Sequence, residues 1–423
     1  MSRLLVRRSL TAVGIYSSVV LGFAATVVAA RQFHPAAAFG LYTIVFAATG
    51  FFQTLLDLTV EEAVVKFGFG YIAREDFGRL RELVRQAFRV KFAGGVLGAI
   101  GLAILAPFSN ALFGHTGLER ALLIAAGIPL VQSLEGLAGA VLFLRGRYDI
   151  RSAFLIWNMA LRLAAVWIGA PHGLVRAVTL VVVAQVIATA SIGVVGIAAF
   201  RRFPVVQRVG LGGERRGIVW FVLQSSVATG VVSVRNFLTP LVLGIATTPT
   251  QVAYYNVAKS PQSGFQALSA PARMVLLTEQ TRDWEHGRRS VVMRGIRNYS
   301  LLAAATMLVA VPLLLVFMPD LIRLIFHARY LPATDAARVF VVAAAVQFLV
   351  GWSKSFPVTI GRPQLRIWTH GAESLVVIPL TVILGLAWGA TGAAVAVLAG
   401  ACVFAAMWAV IALRTEAVDT VTT

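Results

Sequence analysis

Stretches of about 20 mostly apolar residues recur along the whole chain, separated by short polar segments that hold most of the charged side chains. At 1.5 Å per residue, a helix of that length crosses a hydrocarbon core of about 30 Å. The alternating pattern of membrane β-strands does not occur, so only helices can satisfy the backbone amides in lipid. We predict spans at 10–31, 38–62, 88–108, 119–144, 152–170, 175–200, 217–246, 250–279, 297–317, 335–357, 365–387 and 390–413.

Composition supports an all-α membrane protein of about twelve transmembrane helices. Hydrophobic residues make up 58% of the 423 residues, and charged residues only 13%. A soluble domain has about 25% charged residues. We expect the first apolar stretch, which follows Arg3, Arg7 and Arg8, to be a retained span. A cleaved signal peptide is the alternative.

The formal net charge of +19 reflects membrane topology and not nucleic-acid binding, because no long polar segment could form a basic soluble face. With the N-terminus in the cytoplasm, the inner side receives the larger basic groups, at 3–8, 66–91, 145–151, 201–216, 282–297, 354–366 and 414. The outer side receives only Arg31, Arg120, Arg176, Arg323, Arg329 and Arg338. This bias predicts a multi-pass protein of the inner (plasma) membrane with both termini cytoplasmic.

The longest polar gap, 67–87, has the pattern of an amphipathic cytoplasmic helix. Leu80, Leu83, Val84 and Ala87 fall on one face, and basic residues surround it. We predict that its basic face lies on anionic lipid headgroups. A solvated loop is the alternative.

A short motif repeats half a chain apart. Both the turn at 34–42 and the turn at 248–255 place a proline before an apolar–small–x–Tyr entry into the next helix. Six spans per half give a parallel repeat, related by an axis along the membrane normal. Coincidence of one short motif is the alternative. The repeat predicts two six-helix lobes, at 1–200 and 218–413, with a cytoplasmic loop at 201–217 and a cytoplasmic tail at 414–423.

The first hairpin, 29–42, resembles that of polysaccharide-transporter-type (oligosaccharide) flippases, and 57–58, 71–75 and 146–148 fit the same family. Segment 252–258 is similar to the family's eighth-helix entry. The family belongs to the multidrug/oligosaccharidyl-lipid/polysaccharide exporter superfamily, which also holds multidrug and toxic-compound extrusion transporters and lipid II flippases.

The motifs of this resemblance are loose and apolar, and Ala253 stands where the family usually has glycine. They identify the superfamily better than the substrate. The resemblance implies two lobes around a central cavity that opens alternately to each side. It also implies substrates that are polyprenyl-diphosphate-linked sugars.

Charged side chains inside spans mark the places where function is to be sought, since each costs about 2.5–3.5 kcal/mol at the bilayer centre. Arg235 and Lys259 lie in neighbouring spans, about 14–17 Å from the outer ends at 1.5 Å per residue. Two cations at matched depth favour an anion between them, such as a diphosphate. Arg235 bonding to backbone carbonyls or snorkelling to the interface is the alternative. The eighth span is polar and contains two prolines, which favours a cavity lining that includes Asn256, Gln262 and Gln266.

Glu135 and Arg162 lie about 14 Å from the cytoplasmic ends of the fourth and fifth spans. We predict a structural ion pair between them; the alternative is a substrate site in which Arg162 is a third cavity cation.

Three further residues are candidates for ion coupling: Asp57, Glu373 and His370. The alternatives are a capped interfacial carboxylate for Asp57 and an inner-interface residue for His370. We expect Glu61 and Glu62 at the cytoplasmic interface, near Lys66.

We predict a flippase that moves a polyprenyl-diphosphate-linked oligosaccharide to the outer leaflet, and no catalytic residue, metal or cofactor. The sequence has no zinc-ligand spacing, no P-loop and no glycine-rich nucleotide fingerprint. Expected partners are the lipid-linked glycan, membrane lipids, and a polysaccharide polymerase or glycosyltransferases. The alternatives are a cation-coupled multidrug exporter and a non-transporting membrane partner of a polysaccharide synthase.

Overall fold

Helices make up nearly all of the described chain, and no strand occurs among the described residues. The computed structural model describes residues 2–56, 58–115, 117–268, 280, 282–284, 286–362 and 364–422. For 2–12, 228, 265–268, 358 and 416–422 it describes the backbone alone. The chain forms two compact units, Met1–Phe237 and Leu238–Thr423. This division falls within one helix and not in the 201–217 loop; the predicted lobe bounds stay a prediction.

The first unit begins with eight helices and ends inside a ninth. They are α1 (Ser2–Gln32), α2 (Ala36–Leu56), α3 (Val60–Ala73), α4 (Phe77–Phe113), α5 (Leu118–Ala125), α6 (Gly127–Leu144), α7 (Tyr148–Gly169), α8 (Leu174–Arg201) and α9 (Glu214–Ala246). Helix α1 packs along α7, and α6 packs against both α4 and α8. At one end of the unit, α3, α4 and α6 share a core around Tyr71, Leu80, Leu83 and Leu144.

The second unit contains the end of α9 and, in the part of the chain that the structure describes, the helices that follow. They are α10 (Pro249–Leu268), α11 (Arg289–Phe326), α12 (Thr334–Leu349), α13 (Phe356–Thr359) and α14 (Gln364–Thr422). Helix α12 packs against α10, α11 and α14. Trp352, Phe356, Phe404 and Trp408 form an aromatic core in which neighbouring rings meet edge to face.

Ten helices of the described chain are long and apolar enough to cross a membrane, which confirms the predicted all-α membrane class. The last of them, α14, has 59 residues and would measure about 90 Å if it were straight. It breaks at Gly389, where φ is 56° and ψ is −131°, so it contains both predicted spans 365–387 and 390–413. Polar α10 occupies the start of the predicted eighth span; residues 269–279 lie outside the described residues.

Two predicted boundaries are wrong. The second span ends at Leu56 and not at residue 62, because the chain leaves the helix before Val60 and the Thr59 N–H donates to Ser226 Oγ at 3.0 Å. The tenth span ends at Leu349 and not at residue 357. There the chain turns into a 3₁₀ segment, Gly351–Lys354, in which the Trp352 indole N–H donates to Ser300 Oγ at 3.1 Å.

The prediction of one separate amphipathic helix over residues 67–87 is also wrong. A turn at 74–76 separates α3 from α4, with Glu75 at a φ of 56° and the Asp76 carboxylate accepting the Arg79 N–H at 3.0 Å. Helix α4 then continues from Phe77 into the third span. Leu80, Leu83 and Ala87 are buried in the core of the first unit. The predicted apolar stripe therefore packs on the core of the protein, and the placement of the basic residues on lipid headgroups stays a prediction.

Candidate functional site

The buried carboxylate of Glu135 lies at the centre of a polar network in the first unit. Arg151 Nη1 lies 3.3 Å from Oε1, and Asn158 Nδ2 and Gln185 Nε2 donate to Oε2 at 2.9 and 3.1 Å. Gln185 also donates to Thr189 Oγ1 at 3.1 Å. Both carboxylate oxygens are therefore engaged, and the group serves to hold α6, α7 and α8 together.

The predicted ion pair between Glu135 and Arg162 is wrong, because Glu135 pairs with Arg151. Arg151, Asn158 and Arg162 lie on one face of α7, seven and four residues apart. Asn158 lies level with Glu135, and the long Arg151 side chain reaches it from two turns below. Arg162 is one turn further on, about 6 Å along the helix, and so lies beyond the carboxylate.

Arg162 lies against aromatic side chains of α2. Its guanidinium carbon is 4.9 Å from the centre of the Phe46 ring, and the Tyr42 hydroxyl lies beside it. The Tyr42 and Phe46 rings are themselves 4.5 Å apart. Among the described residues, no carboxylate oxygen lies within 4.0 Å of the half-buried Arg162 guanidinium. A cation of this kind, held on a ring face inside a span, can accept an anion from outside the unit.

Lys91 forms a buried ion pair that the sequence analysis missed. Its side chain is 2% exposed, and its Nζ lies 2.6 Å from Glu61 Oε2. From the sequence, Lys91 belongs to the cytoplasmic basic group at 66–91, and Glu61 is expected near Lys66. The sequence feature that indicates a buried Lys91 is its position inside the predicted span 88–108. Helix α6 passes this carboxylate at Gly136, where an added Cβ would be 3.3 Å from Glu61 Oε1.

Lys66 and Glu62 connect α3 to the first-unit part of α9. The Lys66 ammonium lies 4.1 Å from the centre of the Phe221 ring, and Ser225 Oγ donates to Glu62. Arg235 is half-buried three turns further along α9 and belongs to the first unit, whereas Lys259 belongs to the second. A joint anion site of these two cations therefore stays a prediction.

The predicted lining residues of α10 lie in the second unit. Lys259 Nζ is 6.0 Å from the centre of the Tyr255 ring. Asn256, which follows Tyr255 in the sequence, is half-buried. Gln262 is buried, and its Nε2 donates to Gln347 Oε1 of α12 at 3.0 Å, a contact of helix packing. The side chain of Gln266 lies outside the described residues.

Two of the three ion-coupling candidates meet in the second unit. His370 Nδ1 lies 3.0 Å from Glu373 Oε2, and the Glu373 side chain is 3% exposed. The His370 ring stacks on Phe404 at 4.7 Å between centroids. The third candidate, Asp57, lies outside the described residues. The pair joins a buried carboxylate to an imidazole, and a role of this pair in ion coupling stays a prediction.

Glu214 joins the start of α9 to the turn between α3 and α4. Its carboxylate accepts the Tyr71 hydroxyl at 2.7 Å and lies 3.6 Å from both the Arg74 and Arg79 guanidinium groups. Burial, together with the hydrogen bond to Glu214, raises the pKa of Tyr71 to about 12 from its ordinary value of 10.0.

This raised pKa predicts a loss of stability at alkaline pH. The phenol stays protonated in the folded protein up to about pH 12, whereas in the unfolded chain it ionises near pH 10. Its stabilising contribution is thus complete below pH 10 and is lost as the pH rises to about 12. Thermal melting of purified protein between pH 8 and 12 should show a smaller alkaline decrease in Tyr71→Phe than in the wild type. Equal decreases in the two proteins would contradict this assignment.

Comparison with known proteins shows the fold. No protein-family model matches the chain, and neither does any curated protein. A lipid II flippase, MurJ, in an inward closed conformation is similar at a TM-score of 0.70 and 14% identity, over 94% of this chain and 86% of that chain. An inward-facing multidrug resistance MATE family transporter of the MOP superfamily is similar at a TM-score of 0.68 and 13% identity, over 96% of both chains.

A third similar structure is a MOP superfamily transporter from Pyrococcus furiosus, described as having a binding pocket of reverse polarity that suggests a different function. It matches at a TM-score of 0.61 and 14% identity, over 98% of this chain and 96% of that chain. The fold that the sequence resemblance implies is thus confirmed, and membership of the superfamily stays an expectation. The chain has the fold of the MOP superfamily transporters.

Proposed function

We propose that this protein is a flippase that moves a polyprenyl-diphosphate-linked oligosaccharide from the cytoplasmic to the outer leaflet of the inner membrane. The headgroup enters a central cavity, the polyprenyl tail stays in lipid, and the cavity opens alternately to the two sides of the membrane. Both termini lie in the cytoplasm. No covalent step is involved.

The environment of Arg162 is the observation that carries this proposal. Its guanidinium lies over the Phe46 ring and beside the Tyr42 hydroxyl, and since a guanidinium has five N–H donors, these two neighbours leave donors for another partner. Since Glu135 is engaged by Arg151, it does not neutralise Arg162. A guanidinium binds phosphate oxygens through two parallel hydrogen bonds, so a diphosphate suits it well. A lipophilic cation, the substrate class of a multidrug exporter, would be repelled.

Arg235 and Lys259 extend the same argument. Both are half-buried cations; Arg235 lies in a candidate membrane span, and Lys259 lies in the polar helix α10. In the proposed transport cycle they share the neutralisation of the anionic headgroup with Arg162. Asn256 and Gln266 are the proposed lining residues of the cavity, whereas buried Gln262 packs against α12. Proton or sodium coupling through Glu373, His370 and Asp57 is the corresponding proposal for the energy source.

The experiment that tests the proposal is translocation of a fluorescent polyprenyl-diphosphate sugar by purified protein in liposomes. Arg162→Gln is expected to reduce the initial rate at least about tenfold, because a hydrogen-bonded charge contributes about 1.5–3 kcal/mol. Arg176→Gln, which removes an exposed arginine near the start of α8, is the matched control and should retain the wild-type rate.

The same assay separates the alternatives. An unchanged rate in Arg162→Gln would remove the binding role of this residue. A wild-type protein that moves no lipid-linked sugar but exports a cationic dye would be the multidrug exporter, for which the buried Glu373–His370 pair is a suitable coupling site. A protein that transports neither would fit the non-transporting partner of a synthase.

A further inference from the structure

The first turns of α9 present a basic cavity that the proposed transport does not use. The cavity has a volume of about 1020 Å³. It is lined by Gly212, Gly213, Arg215, Arg216, Gly217, Val219 and Trp220. An added Cβ at Gly213 or Gly217 would meet no atom within 4 Å, so the backbone there is open to a ligand.

The two arginines of this cavity are exposed, and among the described residues no carboxylate lies within 4.0 Å of either. Glu214 is the only acidic residue between 201 and 220, and it already bonds Tyr71 and two arginines of the first unit. The negative charge at the start of α9 is thus directed away from the cavity. An incoming anion meets two guanidinium groups without local competition.

An apolar stripe continues from the arginines along α9. Trp220, Leu223 and Val227 follow Arg216 at positions four, seven and eleven, which places all four residues on one helix face. Trp220 is 62% exposed, Leu223 43% and Val227 51%. The stripe extends about 16 Å from the basic end. A charged end followed by an aromatic and then aliphatic side chains matches the profile of a lipid entering a bilayer.

We propose that this surface of α9 binds one anionic phospholipid of the cytoplasmic leaflet. The lipid phosphate is held by Arg215 and Arg216, and an acyl chain lies along Trp220, Leu223 and Val227. Guanidinium groups fit phosphate oxygens in a fork, and basic cavities on the cytoplasmic side of helical membrane proteins suit phospholipid headgroups. The site is independent of the transported substrate.

Native mass spectrometry of the full-length protein, purified in detergent with phosphatidylglycerol and phosphatidylcholine in equal amounts, tests the proposal. The wild type should retain at least one phosphatidylglycerol. The double variant Arg215→Gln/Arg216→Gln should retain at least about tenfold less. The matched control is Arg201→Gln/Arg202→Gln, which removes the same charge from exposed arginines outside the cavity lining and should retain the lipid as the wild type does.

A second variant tests the lipid site without any change in the charge of the protein. Trp220→Ala leaves both arginines in place and should also weaken retention, because the chain loses its contact next to the headgroup. Equal loss in the two arginine double variants would overturn the site, since it would show only a general surface charge. Retention of phosphatidylcholine to the same extent, or of a polyprenyl phosphate in preference to phosphatidylglycerol, would overturn the choice of ligand.

Discussion

Glu135→Leu is expected to lower the free energy of unfolding by about 3–5 kcal/mol, since it leaves the guanidinium of Arg151 in a buried site without its carboxylate. Asn158 and Gln185 lose their acceptor in the same step. The measurement is the unfolding midpoint in mixed detergent micelles with increasing sodium dodecyl sulfate. The loss is large because the network joins three helices of the first unit and its members are satisfied only together.

Two double variants identify the partner of Glu135. Glu135→Leu/Arg151→Met removes both charges and should recover most of the lost stability, because replacing a whole buried pair by apolar residues is often close to neutral. Glu135→Leu/Arg162→Met leaves Arg151 uncompensated and should recover none of it. The reverse order of these two results would restore the pairing predicted from the sequence and contradict the contact with Arg151.

Gly389→Val is expected to prevent the break in α14 and to reduce the yield of folded protein severely. At a φ of 56° and a ψ of −131° the backbone is accessible essentially to glycine alone, and strain of this kind costs about 1–3 kcal/mol. A Cβ at this position would also clash with Gln251 Oε1, which accepts the Ala390 N–H at 2.8 Å. The valine therefore disfavours the backbone conformation at residue 389. It also disrupts the hydrogen bond between Ala390 and Gln251, which holds the kink of α14 against α10.

Folded yield and melting temperature, followed by fluorescence size-exclusion chromatography, measure this effect. The matched control is Gly371→Ala in the same helix, where an added Cβ meets no atom within 4 Å. Alanine there should be neutral or stabilising by about 0.5–1 kcal/mol, since the position is helical. A Gly389→Val protein with wild-type yield and melting temperature would show that the break does not depend on this glycine.

The membrane spans were predictable because hydrophobic length is a local property of the sequence. The position of the break in α14 could be predicted to within a few residues from the glycine between two apolar runs. The 67–87 segment shows the limit of such reasoning. Its apolar stripe was correct, but the same stripe fits a lipid surface or a protein core, and only the tertiary structure shows that Leu80 and Leu83 face Tyr71 and Leu144.

Side-chain partners were less predictable, since the sequence gives depth along a helix only to about one turn. Because of that error, Arg162 is the partner of Glu135 predicted from the sequence, whereas the partner in the structure is Arg151. Lys91 was missed because a lysine at the edge of an apolar run resembles a loop residue. Of the predicted binding residues, Arg162 is the one for which the described contacts add a physical reason, because its neighbours are aromatic and not acidic.

The path of the chain from α8 into α9 determines how the protein can be divided into fragments. Phe203 and Leu211 are buried in the first unit, whereas Val205 between them is 85% exposed. A nick at Val205 would leave a C-terminal fragment that begins with a piece of the first unit, held there by Glu214 and by Phe221 packed on Phe67. A cut in the 201–217 loop therefore does not coincide with the boundary between the two compact units, which lies between Phe237 and Leu238. Two fragments that are divided in this loop and co-expressed are therefore expected to assemble into the folded protein, because α9 of the second fragment packs on the first unit.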